Sequence, residues 1–257
     1  MKIAIVQPAY PKTGKVEESY ATIKYVFDKL DKLEKSTDLV VLPESINVAG
    51  LSLKSEDWEF IQRNADEFLE KISYYAAIKN TYISACVIRT ENKKIKNSTL
   101  LYDRKGNLVN VYEKVHLTAN ERKVLGIENG DSISVYEIDG IKFAFTTCFD
   151  IYFSEFYERI AAENVNVIIH SSYQRGELSD VIIKQGIARA IDANAFYVRS
   201  SYSMGEDSKY GGQSMIINPS GEVLLNVGQK VGVYYYSTDF SEKRKRNASF
   251  NQPILMD

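Results

Sequence analysis

Short apolar runs alternate with amphipathic stretches along the chain, and this pattern predicts strands and helices in turn. Strands are predicted where Ile, Val and aromatic residues run together or alternate with polar ones, at residues 2–7, 38–42, 81–89, 98–102, 108–112, 132–138, 141–145, 165–170, 195–201, 213–218, 222–226 and 232–238. Helices are predicted where apolar residues recur every three or four positions, at residues 15–35, 57–79, 153–164 and 179–193. Helices alternating with strands, with hairpins between them, predict mixed sheets covered by helices.

Length and charge narrow the class of protein. The chain of 257 residues is predicted to form one domain over residues 1–257, with residues 239–257 as a C-terminal docking tail. Its net charge of −2 gives no reason to expect a nucleic-acid or membrane partner. No apolar run approaches the roughly 20 residues that cross a bilayer, and the apolar run near the start is too short for a secretory signal. We therefore expect a cytoplasmic protein.

The cysteine and histidine content argues against disulfides and metal. The two cysteines, Cys86 and Cys148, are too few for a disulfide framework. There is no Cys-x-x-Cys pair, and His116 and His170 are far apart in sequence, so no metal site is predicted. Cys86 lies inside a predicted strand and is interpreted as a small core hydrophobe.

Three reactive side chains follow predicted strands: Glu44, Lys114 and Cys148. Strand ends of an open α/β sheet are where such sheets place their chemistry, so we expect the three to meet. Cys148 would attack an amide carbonyl carbon, and Glu44 would carry the proton from the thiol to the leaving amine. Lys114 would hold Glu44 and stabilise the oxyanion beside the backbone N–H of Phe149.

Cys148 stands where a strand turns into a predicted helix. Unpaired N–H groups and the helix dipole at such a turn favour a thiolate. The alternative is a buried structural cysteine, which the residues around Cys148 do not by themselves exclude.

Five stretches in order resemble the motifs of the nitrilase superfamily, the carbon–nitrogen hydrolases. Leu42–Glu44 looks like the family's glutamate motif, Tyr112–Leu117 like its lysine motif and Cys148–Glu155 like its nucleophile elbow. Two further stretches also agree with the family, Ala188–Val198 and Gly212–Gly221. The resemblance covers nearly the whole chain. It implies a four-layer α-β-β-α sandwich, Glu-Lys-Cys catalysis without metal or cofactor, and a homodimer or higher homo-oligomer formed through helices next to the elbow.

The resemblance also assigns roles outside the trio. Glu121 matches a second glutamate that follows the family's lysine motif, and we expect it to position substrate or assist the base; the alternative is a surface loop acid. His116 is expected to buttress the lysine strand, and Arg189 to form a structural ion pair.

The elbow favours the amidase and carbamoylase branch. Cys-x-Asp, with Asp150 in third place, resembles that branch, whereas true nitrilases usually show Cys-Trp-Glu. Tyr152 replaces an arginine that in relatives suits carboxylate binding, so either the substrate lacks that carboxylate or another cation, such as Arg175, binds it. The predicted substrate-binding residues are Phe149, Tyr152, His170, Ser171, Tyr173 and Arg175.

The predicted function is therefore hydrolysis of a small linear amide or N-carbamoyl compound through a Cys148 thioester. An acyl transferase or condensing enzyme that uses the same thioester is the main alternative. A nitrilase and a catalytically silent binding protein are less favoured alternatives, since a binder has no need of Glu44, Lys114 and Cys148 together.

Overall fold

Twelve strands and five α-helices form the described part of the chain, residues 1–245 of the computed structural model. In chain order the strands β1 to β12 are Lys2–Gln7, Leu39–Val41, Tyr82–Glu91, Lys94–Tyr102, Leu108–Glu113, Val135–Ile138, Ile141–Thr147, Val167–Ser171, Phe196–Ser200, Met215–Ile217, Val223–Asn226 and Gly232–Ser237. The helices α1 to α5 are Val16–Asp31, Trp58–Lys79, Ala119–Lys123, Ser154–Ala162 and Ser179–Ala193.

The strands form two six-stranded mixed sheets with the same pattern of pairings. The spatial orders are β12-β1-β2-β3-β4-β5 and β11-β10-β9-β8-β7-β6. A parallel trio, β1-β2-β3 in one sheet and β7-β8-β9 in the other, is flanked by antiparallel strands. Parallel strands need cover on both faces, which explains why their sequences are short, nearly continuous apolar runs.

Helices cover the outer face of each sheet. The apolar stripes of α1 and α2 pack on the first sheet through a buried cluster that includes Val26, Leu30, Phe68 and Ile72. Helices α4 and α5 cover the second sheet through Phe156 and Ile182, which belong to a buried cluster. The same cluster contains side chains that lie between the two sheets, among them Ile5, Val41 and Phe145. The order of layers is α-β-β-α, and the predicted four-layer sandwich is confirmed.

Two buried serine hydroxyls join the sheets near the ends of their parallel strands. Ser171 Oγ donates to the carbonyl of Leu42 over 2.9 Å, and Ser200 Oγ donates to the carbonyl of Val6 over 2.8 Å. These bonds satisfy polar groups that are fully buried, and they fix the register of one sheet against the other.

The structure differs from the predicted elements mainly at two places. Strand β4 begins at Lys94, four residues before the predicted start, because Asn92 and Lys93 take φ values of 51° and 66° and make a two-residue hairpin turn. The predicted loop at 118–130 contains α3, which Thr118 caps by accepting from the N–H of Glu121 over 3.3 Å.

The first part of the predicted docking tail packs on the second sheet. The ring of Phe240 is buried with its centre 4.9 Å from that of Phe196, and Lys243 Nζ donates to the carbonyl of Val165. The rest of the tail, residues 246–257, lies outside the described residues. Within residues 1–245, no helix combines the length and hydrophobicity that a membrane crossing requires.

Candidate active site

Cys148 begins a tight 3₁₀ turn at the end of β7. Its φ is 45°, in the left-handed region that residues with a side chain rarely adopt. Such a backbone costs on the order of 1–3 kcal/mol and persists only where its surroundings enforce it. The turn points the thiol out of the sheet instead of along the strand.

Asp150 is the residue that holds this turn. Its carboxylate accepts the N–H of Thr147 over 2.7 Å, the hydroxyl of Tyr112 over 2.6 Å and the N–H of His116 over 2.9 Å. The His116 ring also lies 2.9 Å from the same carboxylate and stacks on Phe153. His116 thus has the buttressing position expected of it, and Asp150 ties the cysteine turn to the lysine strand.

Glu44 and Lys114 follow the C-terminal ends of β2 and β5, which lie at the same edge of the first sheet. Both side chains are buried, and Lys114 Nζ donates to Glu44 Oε1 over 2.8 Å. The other carboxylate oxygen, Glu44 Oε2, is buried and has no hydrogen-bond partner within residues 1–245. The thiol of Cys148 lies near enough to this carboxylate to influence its pKa. A free carboxylate oxygen therefore stands beside the thiol.

Glu121 and Asn97 complete the charged cluster. Lys114 Nζ donates to Glu121 Oε1 over 2.7 Å and to Oε2 over 3.0 Å. Asn97 Nδ2 donates to Glu44 Oε1 over 2.8 Å and to Glu121 Oε1 over 2.9 Å. One ammonium and one amide thus hold two carboxylates side by side.

The two carboxylates respond differently to this environment. Burial raises the pKa of Glu44, and the charge of Lys114 offsets only part of that rise. Burial also acts on Glu121, but the bonds from Lys114 and Thr118 outweigh it and lower the pKa of Glu121. Two neighbouring acids whose pKa values are pushed apart suit different roles, one exchanging a proton and one keeping its charge. Glu44 suits the first role.

Lys114 keeps its proton. Burial alone lowers the pKa of a lysine, but the two carboxylates and the cysteine around Lys114 raise that pKa well above its ordinary value. The ammonium is therefore a permanent positive charge at neutral pH.

A cavity of about 670 Å³ opens over these residues. Its floor holds all four predicted catalytic side chains: Glu44, Lys114, Glu121 and Cys148. The volume lies within the range of small-molecule sites, about 300–1,000 Å³. A concave site can carry out acyl transfer when it holds a nucleophile, a fixed cation and a base whose carboxylate oxygen has no hydrogen-bond partner.

A model of one family, described as carbon-nitrogen hydrolase, matches residues 2–246. The chain belongs to the carbon–nitrogen hydrolase family. The resemblance noted from its motifs is confirmed, and the protein is an enzyme, a carbon–nitrogen hydrolase.

Similar proteins include two amidases and a solved amidase structure. The 2-oxoglutaramate amidase of Bacillus subtilis is 27% identical over 234 residues, which cover 89% of this chain and 87% of that protein. The omega-amidase of Homo sapiens is 24% identical over 211 residues, covering 76% of this chain and 74% of that protein. A mutant amidase from Nesterenkonia sp. AN1, with acrylamide added at its active-site cysteine, is 18% identical with a TM-score of 0.80 and covers 93% of each chain. That last likeness supports the fold.

Four of the six predicted substrate-binding residues line the cavity of this hydrolase. They are Phe149, Tyr152, Tyr173 and Arg175. The backbone N–H of Tyr173 lies close enough to the Cys148 sulfur to act on the pKa of the thiol, lowering it, so the loop after β8 reaches Cys148.

The other two, His170 and Ser171, do not reach the cavity. Strand β8 continues through Ser171, one residue further than predicted, so both belong to the sheet and are fully buried. His170 Nδ1 is 2.8 Å from Thr146 Oγ1, and Ser171 bonds to the other sheet. The prediction that they line the pocket is wrong for two reasons. The loop begins only at residue 172, which leaves Ser171 in the sheet. The ring of His170, a residue already in the predicted strand, lies against Thr146 instead of in the cavity.

The expected thiolate is not the resting form of the nucleophile. Burial raises the pKa of the Cys148 thiol well above its ordinary value, and the negative charge of Glu44 raises it further. The element after the cysteine is a 3₁₀ turn, and α4 begins only at Ser154, so no α-helix starts at the thiol. The thiol needs a base at the moment of attack.

Two residues of the site, Asn97 and Gln174, were not predicted from the sequence, and the role of Arg189 was predicted only in part. Asn97 was not predicted because the start of β4 was placed at residue 98. A hairpin turn at Asn92 and Lys93 would have placed Asn97 inside the strand. Gln174, whose side chain Arg199 contacts at 3.4 Å, gave no such signal. Arg189 forms the expected ion pair, with Asp192 at 2.9 Å, and also donates to the carbonyl of Ile151 at the elbow.

Proposed function

We propose that this enzyme hydrolyses a small linear amide or N-carbamoyl compound through a thioester on Cys148, releasing ammonia or an amine. One observation carries the proposal: Glu44 Oε2 is buried without a partner beside a thiol whose pKa is raised by burial. A thiol that does not ionise by itself needs an adjacent base, and a buried carboxylate with a raised pKa is suited to that task.

In the first half-reaction, Glu44 takes the proton of the thiol as the sulfur attacks the carbonyl carbon. The carbonyl oxygen then carries the negative charge. Glu44 passes the proton to the nitrogen, the C–N bond breaks and the amine leaves, so that the acyl group remains on sulfur. In the second half-reaction, Glu44 takes a proton from water, the hydroxide attacks the thioester carbon, and the proton returns to the departing sulfur. The products are a carboxylic acid and the free thiol.

Lys114 and Glu121 supply the charges for these steps. We propose that the Lys114 ammonium fixes Glu44 through Oε1 and stabilises the oxyanion, together with the backbone N–H of Phe149. Glu121 keeps its negative charge and holds Lys114 by two bonds of 2.7 and 3.0 Å. We assign Glu121 to positioning Lys114 and assisting the base.

The remaining expectations are proposals as well. We propose a single domain over the whole chain, assembly as a homodimer through helices next to the elbow, and a cytoplasmic location. The shared core between the two sheets supports a single domain. Dimers of related carbon–nitrogen hydrolases support the homodimer. The two free cysteines support a cytoplasmic location.

The experiment is ammonia release from a panel of amides, ω-amides (2-oxoglutaramate included, because of the named relatives) and N-carbamoyl amines. We expect release by the wild type and none by Cys148→Ala. Adding a primary amine separates hydrolysis from acyl transfer: hydrolysis gives the acid, whereas a transferase gives mainly the substituted amide. Release that survives in Cys148→Ala would contradict the thioester.

A further inference from the structure

Two side chains of opposite charge, Arg175 and Glu177, lie on one wall of the catalytic cavity. Within residues 1–245, neither one forms an ion pair with the other or with any further charged side chain. The remaining cation of the rim, Lys54, lies 3.8 Å from Glu56. Two charged side chains without a charged partner, Arg175 exposed and Glu177 half-buried, therefore border the space in which the substrate must sit.

Arg175 is held in position by uncharged contacts alone. Its guanidinium carbon lies 5.1 Å from the ring centre of Tyr173 and 5.8 Å from that of Tyr10, and Nη1 donates to the Tyr10 hydroxyl over 3.2 Å. Cation–π contacts fix the plane of the group without using up its hydrogen atoms. A guanidinium has five N–H donors, so donors remain for a carboxylate, which it binds through two parallel bonds.

Glu177 is fixed in a comparable way. Its Oε2 accepts the hydroxyl of Tyr152 over 2.6 Å, and its Oε1 accepts the backbone N–H of Leu178 over 2.9 Å. Both donors are neutral, so Glu177 has no charged partner, and each carboxylate oxygen has a further lone pair. An ammonium, with three N–H donors and a positive charge, fits such an oriented carboxylate.

The two charges share the cavity with the nucleophile, since Arg175, Glu177 and Cys148 all line it. The loop that carries Arg175 also carries Tyr173, whose backbone N–H lies close enough to the Cys148 sulfur to act on the pKa of the thiol, lowering it. Tyr152, the hydrogen-bond partner of Glu177, belongs to the same short turn as Cys148. A substrate held at Cys148 therefore occupies the same cavity as both charges.

We propose that this wall is a subsite for a zwitterion, and that the substrate is an amide or ureido compound whose tail ends in a free α-amino acid group. Arg175 binds the carboxylate of that group and Glu177 binds its ammonium. The inference rests on the proposed function for the position of the amide at Cys148, and it narrows the substrate class.

Four amides with the same spacing test the two charges separately. Glutamine carries both groups, glutaramate only the carboxylate, 4-aminobutanamide only the ammonium, and butanamide neither. We expect kcat/KM of the wild type to be highest for glutamine and lowest for butanamide, with each charged contact contributing about tenfold or more. Butanamide or glutaramate turned over as well as glutamine would overturn the proposal.

Two substitutions assign the charges to their binding groups. Arg175→Gln should lower the kcat/KM ratio of glutaramate to butanamide about tenfold, and Glu177→Gln should do the same for the ratio of 4-aminobutanamide to butanamide. Arg63→Gln and Glu59→Gln, charge-matched changes on the exposed face of α2, should leave all ratios unchanged. Equal losses for all four amides in the first two variants would point to a structural role and contradict the subsite.

Binding to Cys148→Ala separates failure of the subsite from failure of the proposed function. Calorimetry should show glutamine binding more tightly than glutaramate or 4-aminobutanamide, and this preference should disappear in the double variants with Arg175→Gln or Glu177→Gln. If none of the amides is hydrolysed but the preference is present, the proposed reaction is wrong and the subsite stands. If the preference is absent, the subsite is overturned whether or not hydrolysis occurs.

Discussion

The chain contains two cysteines in neighbouring parts of the sandwich, and only one of them is placed to react. Cys86 lies inside β3 and is fully buried, whereas Cys148 lies at the end of β7 and lines the cavity. Burial raises the pKa of Cys86 to about 12, and it also raises the pKa of Cys148 well above its ordinary value. A lowered pKa therefore does not distinguish the nucleophile from the core thiol.

Access and a neighbouring base distinguish them. The Cys86 sulfur is 3.3 Å from Asn97 Oδ1 and 3.9 Å from Thr147 Oγ1, so its proton already has acceptors within the core. Cys148 faces the cavity because its backbone takes a left-handed φ of 45°, and the open oxygen of Glu44 is beside it. We therefore expect the reactivity of a thiol in this enzyme to depend on the base that it can reach.

Thiol labelling should give the largest difference between the two sites. We expect iodoacetamide at neutral pH to modify Cys148 at least about 10³ times faster than Cys86, because only Cys148 is reached from the cavity. Mass spectrometry of peptides after timed labelling measures both rates, with Cys86→Ala as the control that must still be labelled at Cys148. Comparable labelling rates of both cysteines in the folded enzyme would contradict the difference in access between Cys148 and Cys86.

Removing the base should bring Cys148 closer to the behaviour of Cys86. Glu44→Gln keeps the shape of the side chain but cannot take a proton, so we expect kcat to fall about 10²–10⁴-fold. The labelling rate of Cys148 should fall as well. Circular dichroism checks that the variant is folded, and Glu17→Gln on the exposed face of α1 is the control. An unchanged labelling rate in Glu44→Gln would mean that another group activates the thiol.

Asn97 links the two regions, since it bonds to Cys86 on one side and to both carboxylates on the other. We expect Asn97→Ala to lower kcat about tenfold and the free energy of unfolding by about 1–3 kcal/mol, because buried acceptors lose their donor. Kinetics and urea unfolding measure the two effects. The control is Asn110→Ala in β5, which removes an amide that donates to Ser134. This change should affect the free energy of unfolding without affecting kcat.

The pH dependence should show the smallest effect. Glu44 must be ionised to act as a base and its pKa is raised, so the acid limb of kcat/KM should lie above the ordinary glutamate value of 4.5. The three coupled groups should give a bell with macroscopic pKa values. The negative charge of Glu121 contributes to the rise, so Glu121→Gln should lower the pKa of Glu44 and move the acid limb to lower pH. A profile flat from acid to alkaline pH, or a limb that moves up, would contradict the role of Glu44.

The sequence by itself determined most of the elements and singled out the three residues that we propose as the catalytic trio. Apolar periodicity gave most strands and the four long helices, since burial of one face is a local pattern with a fixed repeat. Glu44, Lys114 and Cys148 were found because each follows a strand, and strand ends on one edge of a sheet converge.

Only the tertiary structure decided how those residues are surrounded. The pKa of Cys148 rises because the facing sheet brings Glu44 next to it and excludes water, and neither effect is local in sequence. Ser171 was misplaced because one more residue of pairing in β8 turns a loop side chain into a buried one. His170, already in the predicted strand, was misplaced because its ring lies against Thr146 of the neighbouring strand and not in the cavity. Uncompensated charges such as those of Arg175 and Glu177 are visible only once every neighbour is known, because ion pairing depends on distances in space.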